Sequence, residues 1–247
     1  MASIRKRPVR GAAQDSGDDP QTALSLTVKA YERIRGDVLS CRLVPGEWLN
    51  IAELSKRLPA SLGAVREALS RLTSEGLVEA EPRRGFRVTP LSEADLRDLT
   101  NLRVEIEGLC LRQSIEKGDV SWESGVVAAY HRLSRIGLVR ADDPMRVSDD
   151  WIDAHRVFHE ALVAACDSPW MMRVRRMLYA QSERYRQLSL PLQQGPRDLD
   201  REHKAIMKAA IDRDAERAVA SMTKHQQATM SVLLKAIEKR AQPMRKG

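Results

Sequence analysis

Apolar residues between positions 49 and 76 recur at helical spacing in two short runs separated by a proline. The first run contains Ile51, Leu54 and Leu58, and the second contains Val65, Ala68, Leu69 and Leu72. Asn50 predicts the N-cap of the first helix, with Glu53 completing a capping box. Pro59 forces the chain out of that helix, Ser61 can cap the next one, and Gly76 is a natural C-terminal stop. This pattern predicts two helices joined by a tight turn.

Two short strands, 77–80 and 86–89, are predicted directly after the second helix, around a basic turn that reads Pro82–Arg83–Arg84–Gly85. Arg87 follows the turn, and with the other arginines of the second helix and turn it would face phosphates. Helix, turn, helix and wing together outline a DNA-reading module. The residues that we predict to contact DNA are Ser61, Arg66, Arg71, Arg83, Arg84 and Gly85. The alternative is a small α+β subdomain with a basic surface turn.

The apolar spacing after residue 90 is helical, and it predicts six helices packed as a bundle. Pro90 breaks the second strand, and Ser92 with Asp95 forms another capping box, which places a domain boundary near residue 90. The stripe of the first of these helices contains Leu96, Leu99, Leu102, Ile106 and Leu109. The predicted fold is mainly α. Its parts are a flexible tail (1–21), a winged helix-turn-helix (22–90), an all-helical domain (91–241) and a second tail (242–247).

Composition narrows the class of protein. The 247 residues are 43% hydrophobic and only 4% aromatic, which supports a packed, largely helical core. The net charge of +7 is compatible with a polyanionic partner such as DNA. Cys41, Cys110 and Cys166 are scattered, which suggests reduced thiols in a cytoplasmic protein. No apolar run reaches the roughly 18 residues of a membrane span, so no membrane association is expected.

Four of the five histidines fall on predicted inward helix faces. His155 and His159 are four residues apart, so both rings lie on one face. His203 and His225 lie on the apolar stripes of two later helices, whereas His131 belongs to no cluster. A lone buried histidine is usually satisfied by one hydrogen bond, but four together are costly unless they coordinate something. Facing helices of a bundle are where metal sites are built, so these four residues are candidate metal ligands.

The segment from Tyr31 to Val88 resembles the winged helix of GntR-type bacterial transcription regulators. The resemblance is carried by VREALSRLTSEGLVEAEPRRGFRV and by the YERIRGDVLSCRLVPGEWLNIAELSKRL before it. It implies a regulator that binds double-stranded operator DNA. The chain departs from the family in the turn, where Gly-Val-Ser-Arg-Thr-Pro is usual and residues 59–64 read PASLGA. Leu62 takes the place of an arginine that contacts DNA in the family, which weakens the inference about the operator.

The rest of the chain resembles the FCD ligand-binding domain of the FadR-like branch of this family. The matching segments are LRVEIEGL, RVFHEAL and EHKAIMKAAIDRDAERAVASMTKH. In metal-binding members three histidines and an acidic residue hold the ion. His159, His203 and His225 match the histidines, and His155 occupies the acidic position; Asp153 is two residues out of register. A site of four histidines favours zinc or nickel.

The same resemblance implies that a small organic acid binds beside the metal through its carboxylate. Arg103 matches a position that commonly faces this cavity, and a guanidinium suits a carboxylate. The alternative for Arg103 is a salt bridge with Glu107, four residues later on the same helix.

Two functions fit the sequence. The first is a ligand-responsive regulator, a homodimer on a near-palindromic operator, with Ser61, Arg66 and the wing contacting DNA. A metal sensor would share these features. The second is a metal-dependent hydrolase in which the histidine cluster activates water. The sequence contains no HExxH motif and no paired carboxylates beside the cluster, which disfavours the hydrolase.

Overall fold

A computed structural model describes residues 20–143, 147–189 and 197–241. Its N-terminal part contains three helices, α1 (Pro20–Leu39), α2 (Ile51–Arg57) and α3 (Leu62–Ser74), and three strands, β1 (Trp48–Leu49), β2 (Val78–Glu81) and β3 (Gly85–Val88). We call this part the head. Helix α1 begins at Pro20, one residue before the predicted end of the N-terminal tail at residue 21. Residues 1–19 and the predicted tail 242–247 lie outside the described residues.

The predicted caps of the helix-turn-helix are present. The Asn50 side chain accepts hydrogen bonds from the backbone N–H groups of Ala52 and Glu53, at 3.0 and 3.2 Å. The Ser61 hydroxyl accepts from the N–H of Ala64. Gly76 has a φ of +70°, a conformation that ends helices and favours glycine. Polar side chains at the helix ends therefore fix where α2 and α3 begin, as the sequence predicted.

The wing is a three-stranded antiparallel sheet in the order β1–β3–β2. Both predicted strands are present, each shifted by about one residue, and Glu81 pairs with Gly85 across the turn. Strand β1 was not predicted, because two residues are too few to show an alternating pattern; its Trp48 pairs with Arg87. The sheet, α1 and α3 enclose the core of the head. Its fully buried members include Ile34, Val38, Val65, Leu69, Leu72 and Val88.

The six predicted helices of the second domain are all present. They are α4 (Glu93–Lys117), α5 (Val120–Ser134), α6 (Asp149–Leu162), α7 (Pro169–Ser189), α8 (Leu199–Ile211) and α9 (Ala215–Ala241). Ser92 caps α4 by accepting from the N–H of Asp95. The core between the helices includes Leu111, Val126, Phe158, Leu162, Ile206 and Met222. No helix within these described ranges combines the length and apolarity of a membrane span.

The apolar stripe predicted for α4 is wrong in part. Leu102 and Leu109 are about half exposed, at 47% and 51%, whereas Glu107 and Ser114 are fully buried. The reason is an ion pair inside the bundle, because Glu107 accepts from Arg175 of α7 at 2.8 Å. A polar contact sets the rotation of α4, so the apolar stripe alone does not identify its buried face. Cys41, Cys110 and Cys166 form no disulfide with one another, as expected.

Helix α7 connects the head to the helical domain. The Gln181 amide donates to the carbonyl of Glu75 at 2.7 Å, and the buried Arg184 guanidinium donates to the carbonyl of Thr89. The Tyr185 hydroxyl accepts from the N–H of Ser92 at 3.2 Å and donates to Asp95 at 2.5 Å. These contacts hold the segment between β3 and α4. A displacement of α7 would therefore also move the head.

Candidate functional site

The four predicted ligand histidines come together inside the bundle. His155 and His159 lie on α6, His203 on α8 and His225 on α9, and all four are buried. One ligand atom from each ring lies within 4.8 Å of the others. The ring centroids of His155 and His159 are 4.4 Å apart, and those of His203 and His225 are 4.8 Å apart. The helical phase read from the sequence therefore places all four imidazoles in one small volume.

The spacing of the nitrogens suits a shared ion. The Nε2 atoms of His155 and His159 are 3.1 Å apart. An ion bound at about 2.0–2.1 Å holds neighbouring ligand nitrogens at roughly 3.0–3.4 Å, so this spacing fits. The Nε2 atom of His203 is buried and has no hydrogen-bond partner among the described residues. A metal ion bound between the rings would supply the partner that this nitrogen lacks.

Burial keeps these rings neutral. Desolvation lowers the pKa of His155, and the nearby Arg186 guanidinium lowers it further. Desolvation followed by the neighbouring imidazoles lowers the pKa of His159 and of His203. Desolvation also lowers the pKa of His225, although the hydrogen bond to Glu202 acts in the opposite direction. Because only the neutral imidazole offers a lone pair to a metal, the electrostatics of the pocket support coordination.

A carboxylate orients one of the four rings. Nδ1 of His225 lies 2.8 Å from a Glu202 oxygen, which leaves Nε2 of His225 to face the other histidines. Arg197 donates to both oxygens of Glu202, at 2.8 and 2.7 Å. Burial alone would raise the pKa of Glu202, but the hydrogen bonds from Arg197 and His225 outweigh it and hold that pKa at about 2. A carboxylate behind a ligating histidine is a common support of metal sites.

His155, which replaces the acidic residue expected from the resemblance, has its own support. Its ring stacks on Trp151 with centroids 4.7 Å apart. Its Nδ1 accepts from the Arg186 guanidinium at 2.5 Å. Asp153 turns away, as its register predicted, and pairs with Arg156 at a half-exposed position. The position where the resemblance leads us to expect an acidic residue therefore holds an imidazole, and the nearby Asp153 carboxylate does not replace it.

Arg103 faces the interior next to this cluster. Its guanidinium lies 5.1 Å from the centre of the Tyr179 ring, which Arg175 and Arg186 also approach, at 5.9 Å each. The salt bridge to Glu107 that was the alternative for Arg103 is not present, because Arg175 takes the Glu107 carboxylate. Buried Nε of Arg103 has no hydrogen-bond partner in the part of the chain described. Desolvation lowers the pKa of Arg103, because burial disfavours the charged guanidinium. An anion bound nearby would stabilise that charge.

Sequence reasoning missed the arginines that surround the histidines. These are Arg175 and Arg186 on α7 and Arg197 before α8. A signal was present, since Arg175, Tyr179 and Arg186 are spaced by four and seven residues and so share a face of α7. That face was not recognised because basic residues normally mark the solvent side of a helix.

Two of the predicted DNA-contacting residues, Ser61 and Arg66, lie at the exposed start of α3. Ser61, Leu62 and Arg66 are all exposed, and Leu62 is 51% exposed. Arg66 makes no ion pair within the described ranges. An exposed helix N-terminus with an unpaired arginine suits a phosphate or base edge. Leu62 offers this surface an apolar contact where the family has an arginine.

Two other arginines of the head are engaged elsewhere. The Arg71 guanidinium stacks on the Tyr31 ring at 3.9 Å, and it lies about 140° around α3 from Arg66. Arg87, which we expected to face phosphates, pairs with Glu79 at 2.7 Å and is half-buried. Arg71 therefore lies on the flank of α3 that faces α1, away from the exposed start of the helix.

The wing presents its arginines at the tip of the hairpin. Arg83 and Arg84 are exposed, and Arg83 and Gly85 have positive φ values of 67° and 98°. Arg84 pairs with Glu81 at 3.3 Å but remains 70% exposed, so the pair contributes little and a phosphate could replace it. Its guanidinium also lies 5.2 Å from the ring centre of Trp48. The turn thus projects two cations beyond the sheet.

Comparison with known protein families gives two matches that follow one another along the chain. Residues 26–88 match the model described as "Bacterial regulatory proteins, gntR family". Residues 98–228 match the model of the FCD domain, which covers more than half of the chain. The first match coincides with the head and the second with the helical domain that contains the histidines.

Individual relatives agree with these matches. The chain is 42% identical over 209 residues to the HTH-type transcriptional regulator BphR of Paraburkholderia xenovorans, covering 85% of each. It is 31% identical to the transcriptional repressor GlaR of Escherichia coli, covering 81% of this chain and 91% of GlaR. Among solved structures, E. coli McbR/YncC has the same fold, with a TM-score of 0.69 at 19% identity over 85% of this chain and 97% of the other.

Proposed function

The chain belongs to the GntR family of bacterial regulatory proteins and carries an FCD effector-binding domain, and from that premise we propose how its DNA binding is controlled. It is a transcription regulator and not an enzyme, as the names of its relatives indicate, so the hydrolase alternative is set aside. We propose that a small organic acid, bound at a divalent transition metal inside the helical domain, sets the affinity of the head for operator DNA. The observation that carries this proposal is the cluster of four buried histidines beside an excess of guanidinium groups.

His155, His159, His203 and His225 would hold the ion. Neutral nitrogen ligands favour zinc or nickel over magnesium or calcium, which prefer oxygen. When bound, the metal supplies a positive centre that accepts a carboxylate oxygen. The protein's own residues hold the ring orientations: Glu202 fixes His225 and Trp151 packs on His155.

The ligand class follows from the charges in the pocket. Three arginines are paired with Glu107, Glu183 and Glu202, namely Arg175, Arg186 and Arg197. Arg103 adds a fourth cation, which forms no ion pair within the described residues, so the pocket is positive even before a metal enters. A compact anion with one or two carboxylates would satisfy Arg103 and the metal together.

We propose that two heads bind the two halves of a near-palindromic operator, since a two-fold symmetric dimer is matched by symmetric DNA. On each half-site, Ser61 and Arg66 of α3 contact the major groove, and Arg83, Arg84 and Gly85 of the wing contact the adjacent backbone or minor groove. GlaR is named a repressor, and we propose that this chain also represses transcription. The acid would then release the protein from DNA by favouring an arrangement of the heads that fits the operator poorly.

The test is a titration of fluorescently labelled duplex from the upstream region of the protein's own gene. Chelator-treated protein, the same protein reloaded with zinc or nickel, and reloaded protein with a panel of small carboxylates are compared by anisotropy. The proposal expects a carboxylate to weaken DNA binding only when metal is present. A response to metal without any acid would identify a metal sensor. Absence of salt-sensitive DNA binding in every arm would refute the assignment of this head as the DNA reader.

A further inference from the structure

Two cysteines lie against each other in the helical domain. Cys110 is in the second half of α4 and is completely buried. Cys166 lies in the connection between α6 and α7 and is half-buried. The two thiols are in hydrogen-bond contact, although they are far apart in the sequence. Thiols that the fold brings together in this way are candidates for a disulfide.

The hydrogen bonds around Cys166 orient the two sulfurs toward each other. The Sγ atom of Cys166 donates its proton to Oε1 of Gln113 at 3.0 Å. The Cys166 sulfur is therefore left to accept, and the contact between the two thiols is made by the Cys110 proton. Gln113 lies one turn of α4 after Cys110, so both face the α6–α7 connection. The Cys110 thiol thus already points at the sulfur of Cys166.

Further contacts fix the α6–α7 connection against α4. Oε1 of Gln113 also accepts from the backbone N–H of Asp167, at 3.1 Å. The Asp167 carboxylate pairs with Lys117, one turn further along α4, at 2.5 Å. The Lys117 ammonium also interacts electrostatically with Cys166. The approach of the two sulfurs is therefore built into the packing of the domain.

The two thiols differ in their access to solvent. Cys110 is completely buried, and burial together with the neighbouring Cys166 thiol raises the pKa of Cys110 to about 12. Cys166 keeps part of its surface exposed. A small oxidant therefore reaches Cys166 first, while Cys110 remains a protected thiol in contact with it. This arrangement suits an attacking cysteine and a resolving cysteine.

We propose that Cys110 and Cys166 are an oxidation-sensitive pair that a peroxide converts reversibly into a disulfide. The Cys166 sulfur attacks one oxygen of hydrogen peroxide and becomes a sulfenic acid, while the O–O bond breaks and the released hydroxide takes the Cys166 proton. The Cys110 sulfur then attacks the Cys166 sulfur. The S–O bond breaks, and the released hydroxide takes the Cys110 proton. Two thiols are oxidised to one disulfide, and one peroxide is reduced to two waters.

The disulfide would tie the α6–α7 connection to α4 covalently. In the reduced protein this attachment includes the ion pair between Lys117 and Asp167, whose side chains are 43% and 61% exposed and which therefore contributes little. Cys110 also lies one turn from Glu107, whose carboxylate accepts from Arg175 of α7. A cross-link at this position restrains α4 and the start of α7 relative to each other, so oxidation should stabilise the protein.

The test detects the cross-link by mass spectrometry of the full-length protein. Trypsin releases Cys110 in the peptide 104–112 and Cys166 in the peptide 157–173. After brief treatment with hydrogen peroxide and alkylation of the remaining thiols, we expect the two peptides to be joined. Dithiothreitol added before alkylation should separate them again. The thermal midpoint of the oxidised protein should be higher by about 5 °C or more than that of the reduced protein.

Matched variants separate this pair from the third thiol. Cys41 lies in the head, where its Sγ donates to the carbonyl of Arg184 at 3.3 Å, so Cys41→Ser should form the cross-link as fully as the natural sequence. Cys166→Ser should form no cross-link and should show no rise in thermal midpoint. Cys110→Ala should leave Cys166 as a sulfenic acid, which dimedone labels. Circular dichroism checks that all three variants are folded.

The inference is overturned if the peptides 104–112 and 157–173 stay separate after peroxide treatment, or if cross-links to Cys41 are equally abundant. A cross-link that leaves the thermal midpoint unchanged would contradict the proposed restraint on α4 and α7. The cross-link is detected without DNA, metal or organic acid. Its absence would therefore count against the cysteine pair alone, whereas the anisotropy titration tests the proposed function alone.

Discussion

The Nη1 atom of Arg186 lies 2.5 Å from Nδ1 of His155. A guanidinium can only donate, so Nδ1 accepts, and the neutral His155 ring must carry its proton on Nε2. That nitrogen is the one that faces Nε2 of His159 at 3.1 Å. In this arrangement Nε2 of His155 is a donor and not a metal ligand. Coordination through Nε2 therefore requires the proton to move to Nδ1 and Arg186 to withdraw from the ring.

Removing the Arg186 guanidinium should strengthen metal binding. We compare the double variant Arg186→Met/Glu183→Gln with the single variant Glu183→Gln. Glu183 is changed in both because it pairs with Arg186, and replacing the arginine alone would leave the Glu183 carboxylate without its cation. A hydrogen bond to a charged group contributes about 1.5–3 kcal/mol, so the double variant should bind zinc roughly tenfold or more tightly in the absence of acid. Competition with a chromophoric chelator measures this. Equal affinity in the two variants would mean that Arg186 does not control the His155 tautomer.

Replacement of a single inward histidine should remove the metal. His203→Ala deletes a ligand whose Nε2 has no protein partner in the described structure, so we expect metal content to fall from about one ion per chain to a small fraction. The metal-dependent rise in thermal midpoint should disappear with it. His131→Ala is the control, because that exposed ring lies outside the cluster. Stoichiometric metal in His203→Ala, by plasma emission spectrometry, would disprove the ligand assignment.

The metal-free protein should lose stability in mild acid. All four cluster histidines have a pKa lowered below the ordinary 6.5, chiefly by burial. Below pH 6.5 the unfolded chain therefore binds more protons than the folded one, and the free energy of unfolding falls as pH falls. Thermal midpoints of chelator-treated protein between pH 8 and pH 5 should decline below about pH 6.5. His203→Ala should decline less steeply than His131→Ala, and parallel curves would contradict this account.

The winged head could be predicted from sequence because its determinants are local. Asn50, Ser61 and Gly76 set helix ends through their own side chains or backbone conformation, and the structure shows each in that role. The four histidines were predictable as a cluster for a related reason, since helical phase alone brings inward positions together.

The environment of the cluster could not be predicted because it depends on contacts distant in sequence. Glu107 is buried against Arg175, 68 residues away, and this pair sets which face of α4 is inside. Arg186 reaches His155 from 31 residues away. Such contacts place charged residues where hydrophobic patterning expects apolar ones, so Leu102 and Leu109 were assigned to the wrong side.

Arg66 and Arg71, both on α3, should behave differently in DNA binding. Arg66→Ala removes an exposed cation at the start of the helix, and we expect operator affinity to fall at least about tenfold, with a salt dependence weaker by about one phosphate contact. Arg71→Ala should change affinity less than about twofold, because Arg71 stacks on Tyr31. Its effect should be a loss of about 0.5–1 kcal/mol of stability. Fluorescence anisotropy titrations at several salt concentrations measure the DNA affinity of both variants. Similar losses of affinity in the two would place Arg71 on the DNA-binding surface as well.

Tyr185 should be needed for communication between the metal pocket and the head. Its hydroxyl contacts Ser92 and Asp95 at the linker, while the next residue on α7, Arg186, touches His155. Tyr185→Phe keeps the ring and removes only these contacts, so DNA affinity without acid should stay within about twofold. The acid-induced change in that affinity should shrink by about fivefold, which corresponds to roughly 1 kcal/mol of coupling.

The control for this substitution lies on the same helix. Ser182→Ala also removes a hydroxyl, but within the described residues that hydroxyl donates only to the Tyr179 carbonyl of its own helix, at 2.8 Å. It should leave the response to acid unchanged in the anisotropy titration. If Tyr185→Phe responds to acid as fully as Ser182→Ala does, the signal must reach the head by a route other than the Tyr185 contact with the linker. Equal loss in both variants would indicate that α7 itself, and not this hydroxyl, is sensitive to substitution.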